Sequence, residues 1–89
     1  MHNAIEVELF GIPRSRAGVA KTTAQGERLG EVLGDLEARF PGLAESCIEG
    51  GQLKPGYVCN VGGQRFVTDP QLPLAAGDVV LLLSADAGG

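Results

Sequence analysis

Hydrophobic and polar positions alternate from Ala4 to Phe10, with Ile5, Val7 and Leu9 on one side and Glu6 and Glu8 on the other. A period of two is the pattern of a strand buried on one face, so the chain opens with a half-buried strand. Gly11, Pro13 and Gly18, with Arg14 and Arg16 among them, predict a mobile loop over 11–18. β-Branched residues return between Val19 and Ala24 and predict a short second strand, paired with the first as a hairpin.

The period changes at Leu29. Leu29, Val32, Leu33, Leu36 and Phe40 fall at i, i+3, i+4, i+7 and i+11, and Arg28, Glu31, Asp35 and Arg39 take the opposite side. This predicts one clear helix, ended by Pro41-Gly42, with Phe40 closing its apolar stripe beneath a sheet. Asp35 and Arg39 are an i,i+4 pair worth about 0.2–0.5 kcal/mol. No Ser, Thr, Asp or Asn stands just before Leu29 to cap the helix. Gly30 and Gly34 each weaken it by about 1 kcal/mol relative to Ala, so packing must hold it, and their spacing permits close approach to the sheet.

Downstream, Leu43 to Ile48 is a short helix-compatible piece, and the breaker-rich stretch from Glu49 to Gly56 predicts an exposed loop. Tyr57 to Val61 and Gln64 to Val67 flank Gly62-Gly63, the two-residue signal of a tight hairpin. Leu72 and Leu74 anchor a connection, Gly77-Asp78 makes a turn, and Val79 to Leu83 is apolar on both faces, as a central strand is. The order is therefore strand, strand, helix, strand, strand, strand. One helix covers one face of such a sheet. With the last strand beside the first, Val79, Leu81 and Leu83 point away from the helix, toward the face of Phe10, and form an apolar patch that marks a partner site.

Composition narrows what that patch serves. Eighty-nine residues make one domain, 1–89, with a single modest core. Seven basic residues against eleven acidic ones give a net charge of −4, and only Arg14 and Arg16 cluster, so nucleic-acid binding is not expected. The chain carries no stretch of signal-peptide character and no apolar run long enough to span a bilayer, which predicts a soluble, cytoplasmic protein with no membrane partner. Cys47 and Cys59 fit neither C-x-x-C nor a zinc half-site and read as buried free thiols.

Catalytic constellations are missing. His2, the only histidine, sits at a terminus, so no nucleophile has a positioned imidazole. No phosphate-cradling glycine motif and no metal-ligating motif is present, and no metal is expected. Glu6 with Glu8, and Glu31 with Asp35, read as solvated faces. The chain is not expected to be a catalyst alone. What remains is its end, Ser84-Ala85-Asp86-Ala87-Gly88-Gly89, a tail over 84–89 that follows the most apolar strand. Two glycines without Cβ make a backbone thin enough for a channel that no side chain could enter. Small residues also collect at frayed ends, so the tail takes its meaning from the handle that carries it.

The element order, the helix Leu29-Gly30-Glu31-Val32-Leu33, the turn Gly77-Asp78-Val79 and the terminal Gly88-Gly89 together resemble the MoaD/ThiS family of ubiquitin-like sulfur carriers, over nearly the whole chain. The resemblance implies an α+β, β-grasp fold: a mixed five-stranded sheet with one main helix packed across one face. It implies that Gly89 is adenylated by an E1-like, ATP-dependent activating enzyme and converted to a thiocarboxylate that donates sulfur in biosynthesis, with ATP used by the partner and no cofactor held by the carrier. Gly88 matches the glycine that threads into that enzyme. Phe10, Leu81 and Leu83 match the apolar contact surface, with Arg65 near it on the fourth strand. The second partner implied is an acceptor synthase subunit resembling the large subunit of molybdopterin synthase. Leu83 lacks the aromatic ring, and the tail lacks the prolines, of many molybdopterin synthase small subunits. Carriers for cysteine or thiamin-type biosynthesis, and a modifier conjugated to lysine through Gly89, are the alternatives.

Overall fold

A computed structural model describes residues 4–63 and 65–85. Strand β1 (Ala4–Leu9) runs antiparallel to β2 (Lys21–Gln25) and parallel to β7 (Val79–Ser84). On its other side β7 pairs antiparallel with β5 (Tyr57–Val61), which pairs antiparallel with β6 (Arg65–Val67), so the sheet order is β2-β1-β7-β5-β6. The run that is apolar on both faces thus occupies the centre of the sheet, where its neighbours satisfy both edges of its backbone. Helix α2 (Leu29–Arg39) buries Leu29, Val32, Leu33 and Leu36 in one core with Ile5, Val7, Leu9, Val80 and Leu82 of the sheet. This is the β-grasp architecture.

The missing side-chain cap of α2 is replaced by tertiary contacts. Leu29 N–H donates to the carbonyl of Leu72 (2.9 Å) and Gly30 N–H to that of Pro70 (2.8 Å), so a segment forty residues downstream satisfies two first-turn donors. Glu31 reaches back so that its Oε1 accepts from Glu27 N–H at 2.7 Å, one residue beyond the N-cap N–H of the usual capping box. Leu74 N–H in turn donates to Glu27 carbonyl at 2.9 Å. Leu72 and Leu74 therefore anchor more than a connection: their strand-like strap closes the start of the helix.

Three local expectations are corrected. Residues 11–17 are a helix, α1 (Gly11–Ala17), and not a loop. Pro13 sits in its first turn, where a missing N–H leaves no bond unmade, and Gly18, at φ 82°, closes it by donating to Arg14 carbonyl at 2.9 Å. The glycines and proline that suggest a loop are the punctuation of a helix of about two turns. Packing on α3 (Pro41–Ser46) holds it: a Cβ built on Gly42 would overlap the carbonyl oxygen of Arg16. The segment after α3 is also ordered differently from a loop. Strands β3 (Ile48–Glu49) and β4 (Gln52–Leu53) pair across Gly50-Gly51, whose φ values of 61° and 76° are those of a primed hairpin turn. The Glu37 carboxylate of α2 accepts from both glycine N–H groups, at 3.1 and 3.0 Å. This turn explains Gly30: a Cβ there would lie 3.0 Å from Pro70 Cβ and 3.4 Å from Gly51 carbonyl oxygen, so the close approach is to the turn and the strap, while Gly34 meets nothing.

Phe40 is the third correction. It joins α2 to α3 in extended conformation, as the residue before a proline must be, and is half-buried against the edge of the core with the Arg39 guanidinium 5.2 Å from its ring centre. Arg39 also bonds Asp35 Oδ1 (3.0 Å) and Thr23 carbonyl (2.5 Å), and Asp35 Oδ2 accepts from Gln25 N–H (2.8 Å), so the expected i,i+4 pair is part of a tie between α2 and β2. No helix among the described residues is long and apolar enough to cross a membrane.

Candidate functional site

Paired residues in a sheet share a face, so the registers define which side chains stand together on the side away from α2. One row runs Lys21, Glu8, Leu81, Asn60, Phe66 across all five strands. The next row toward the end of β7 holds Val58 and Leu83. Phe10, one position past the β1–β7 ladder and still donating from its N–H to Leu82 carbonyl (3.1 Å), continues β1 beside Leu83. The face is therefore divided: polar on β2 and β1, and apolar over β7, β5 and β6 except for Asn60.

Exposure separates this face from the other. Val58, Val79, Leu81 and Leu83 are half-buried, Phe10 is 42% exposed and Phe66 65%. Val58, Phe66, Leu83, Ser84 and Ala85 line a shallow apolar groove at the end of β7. Ala85 N–H donates to Gly56 carbonyl at 2.7 Å and is the last backbone group tied to the sheet within the described residues. The apolar surface and the exit of the chain toward its tail thus lie at one end of the sheet.

Of the candidate residues, Phe10, Leu81 and Leu83 come together on this surface. Arg65 does not: it pairs with Val61, whose side chain packs on the core, and so belongs to the helix-side face of an edge strand, where it is exposed. The cause is one residue of register. A two-residue turn at Gly62-Gly63 would set Arg65 opposite Asn60; in the observed register Val61 pairs with Arg65, and this shift places Phe66 opposite Asn60 instead. Phe66 and Val58 are the members of the patch that the residue pattern did not single out, although Val58 alternates visibly with buried Cys59. Gly88 and Gly89 lie outside the described residues.

Neither thiol belongs to this face. Cys59 pairs with Leu82 on the covered side, and burial pushes its pKa up to about 12. Burial also raises the Cys47 thiol, against a smaller lowering by its hydrogen bond with Tyr57. Both are buried, protonated at neutral pH and poor nucleophiles. No group of three or more His, Cys, Asp or Glu side chains that could hold a metal occurs among the described residues. A polar concavity beside Arg28, Gly30 and Gly51 lies at the N-terminus of α2, but the carbonyls of Pro70 and Leu72 already occupy the donors an anion would need.

No family model matches the sequence, and no curated protein does. Solved structures do. The HVO 2177 protein of Haloferax volcanii is 31% identical, with 99% of this chain and 88% of that one covered at a TM-score of 0.77. The small archaeal modifier protein 1 of Methanosarcina acetivorans is 22% identical, with 100% and 99% covered and a TM-score of 0.81. A putative molybdopterin converting factor subunit 1 from Pyrococcus furiosus is 24% identical, with 92% and 97% covered and a TM-score of 0.72.

Proposed function

We propose that this chain, which shares its fold with a small archaeal modifier protein and a molybdopterin converting factor subunit, is a ubiquitin-like sulfur carrier of the MoaD/ThiS type: an E1-like, ATP-dependent enzyme adenylates the carboxylate of Gly89 and converts it to a thiocarboxylate, which an acceptor synthase then uses to build molybdopterin. The carrier works in the cytoplasm, holds no cofactor and is a co-substrate of its partners; ATP is used by the activating enzyme.

The chemistry requires little of the carrier's own side chains. A carboxylate is a poor acyl donor. When one of its oxygens attacks the α-phosphorus of ATP, pyrophosphate leaves and the carbon gains AMP as a good leaving group. The outer sulfur of a persulfide on the partner then forms a C–S bond as the C–O bond to AMP breaks, and a second partner thiol cleaves the S–S bond, forming a disulfide and releasing the thiocarboxylate. The sulfur must come from the partner, since Cys47 and Cys59 are buried thiols whose ionisation burial disfavours. What the carrier contributes is delivery: a docking surface and a slender backbone that brings Gly89 to an active site in another protein.

The observation that carries this reading is the adjacency of the uncovered apolar row, Phe10, Leu83 and Val58, to the last tethered residue, Ala85. Gly89 is the fourth residue after Ala85, a reach of at most about 13–14 Å when extended. A partner seated on the row therefore has Gly89 within the span of one active-site channel. The shared fold with a molybdopterin converting factor subunit supports the pterin synthase as acceptor. The likeness to an archaeal modifier supports a second reading, in which the same activated Gly89 forms an isopeptide with a lysine.

Incubation with the adenylating enzyme of the same organism, ATP and a sulfur source tests the proposal by intact mass. Wild type should gain the mass of one sulfur in place of one oxygen. Chains lacking Gly89, extended by one alanine, or carrying Gly88→Val should keep their fold and gain none. Equal sulfur transfer to the shortened or extended chain, without trimming, overturns the reading; accumulation of high-mass lysine adducts favours the modifier. The desulfurated precursor pterin and its synthase then test the acceptor.

A further inference from the structure

Asn60 stands in the middle of the outward face and is the one buried polar side chain among the described residues, 7% exposed, with no hydrogen-bond partner for its Oδ1. Its neighbours across the two flanking strands are Leu81 and Phe66. A valine or leucine would fill this position without an unmet acceptor, so the amide costs the free chain stability that nothing within it repays. Glu8 lies in the same row on the far side of Leu81. Lys21, its cross-strand neighbour, is drawn diagonally to Glu6 at 4.0 Å, and Glu8 takes part in no ion pair among the described residues. Two acceptors of the row are thus without a partner among the described residues, the Asn60 amide oxygen and the Glu8 carboxylate, two strand spacings or about 10 Å apart with Leu81 between them.

We propose that Asn60 is a specificity-determining residue of the docking face: the adenylating enzyme presents an apolar surface to Leu81 and Phe66, a cationic side chain to Glu8, and one N–H or O–H donor to the Asn60 amide oxygen. This rests on the proposed function and adds the chemistry by which the partner is chosen. Rotation of the amide about its last torsion turns the oxygen toward the incoming donor, and the bond then forms in a site that docking has dried, where it is strongest. A surface equally apolar but lacking the donor would leave the acceptor buried and unmet, which is how a flat hydrophobic face can reject the wrong partner. Glu8, at the rim, contributes steering and salt dependence more than tightness.

The test compares wild type, Asn60→Leu, Asn60→Val and Glu8→Gln in two measurements: thermal melting of the free chain, and affinity for the adenylating enzyme of the same organism with ATP present. Both Asn60 variants should melt at or above the wild-type temperature and bind at least ten-fold more weakly. Glu8→Gln should melt as wild type and bind with a shallower dependence on salt. A structural role would move stability and affinity down together, so lowered melting accompanied by weaker binding in both Asn60 variants overturns the inference, as does wild-type affinity in both. If wild type accepts sulfur while the Asn60 variants bind equally well, only the role of Asn60 is lost; if wild type accepts none, the proposed function falls and this inference with it.

Discussion

The two faces of the central strand carry the same kinds of residue and do opposite things. Val80 and Leu82 are fully buried under α2, whereas Val79, Leu81 and Leu83, interleaved with them, are half-exposed. Composition cannot separate the two sets; cover does. On the inner face each methylene removed from water stabilises the fold. On the outer face the same groups leave that free energy unrealised in the isolated chain and available to a partner. The outer face also tolerates an unmatched amide oxygen at Asn60, which has no counterpart on the inner face among the described residues.

This contrast can be broken most sharply at Leu82. Leu82→Ala should destabilise the chain by about 2–5 kcal/mol, through lost burial and the residual cavity, and Leu83→Ala by less than half of that; similar losses in chemical denaturation would abolish the distinction between the faces. High pH probes the inner face in a second way. Folded Cys59 keeps its proton to about 12, while an unfolded cysteine ionises near 9.0. Above pH 9 the unfolded chain therefore binds fewer protons than the folded one, and stability should fall as pH rises toward 12, by up to about 1.4 kcal/mol per unit from this group. The buried Cys47 adds to the same trend. Cys59→Val should flatten the fall, and an unchanged slope in that variant would show that the thiol is not shielded.

A smaller effect is expected at Phe40. Because it caps the edge of the core half-buried, Phe40→Ala should cost about 1–2 kcal/mol, well below the roughly 3–5 kcal/mol of a fully buried phenylalanine; a loss at the upper figure would place it in the core proper. The smallest change in stability belongs to the outer face. Phe10→Asp should melt within about 1 kcal/mol of wild type, as surface substitutions do, yet weaken docking of the adenylating enzyme at least ten-fold by setting an unpaired charge in an apolar contact. Undiminished binding would remove Phe10 from the docking surface.

Much of this was legible in the residues. The alternation of Ile5, Val7 and Leu9, the helical spacing from Leu29 to Leu36 and the doubly apolar run from Val79 report burial of an element with its own period, and a period is a local property of sequence. The patch of Phe10, Leu81 and Leu83 followed from these, because a single helix covers a single face. Helix α1 was not legible, since seven residues between a glycine, a proline and a second glycine show no period and are held by contact with α3 and β7. The ladder of β3 and β4, two residues each, hides for the same reason.

By itself, then, the sequence determined the five strands of the main sheet and the main helix, the inward residues of β1, α2 and β7, and the apolar character of the central strand, because each of these is written in spacing along the chain. Only the tertiary structure decided what meets what. A one-residue shift in the β5–β6 register exchanges Arg65 for Phe66 on the outward face, since a one-residue slip reverses every side chain of a strand. The start of α2 is closed by the carbonyls of Pro70 and Leu72, which no local motif announces. Asn60, unremarkable in sequence, becomes a buried and unmatched acceptor only when Leu81 and Phe66 close on it from the neighbouring strands. Periodicity fixes the orientation of a residue relative to its own element, whereas its partners depend on turn lengths and pairings between segments far apart in the chain.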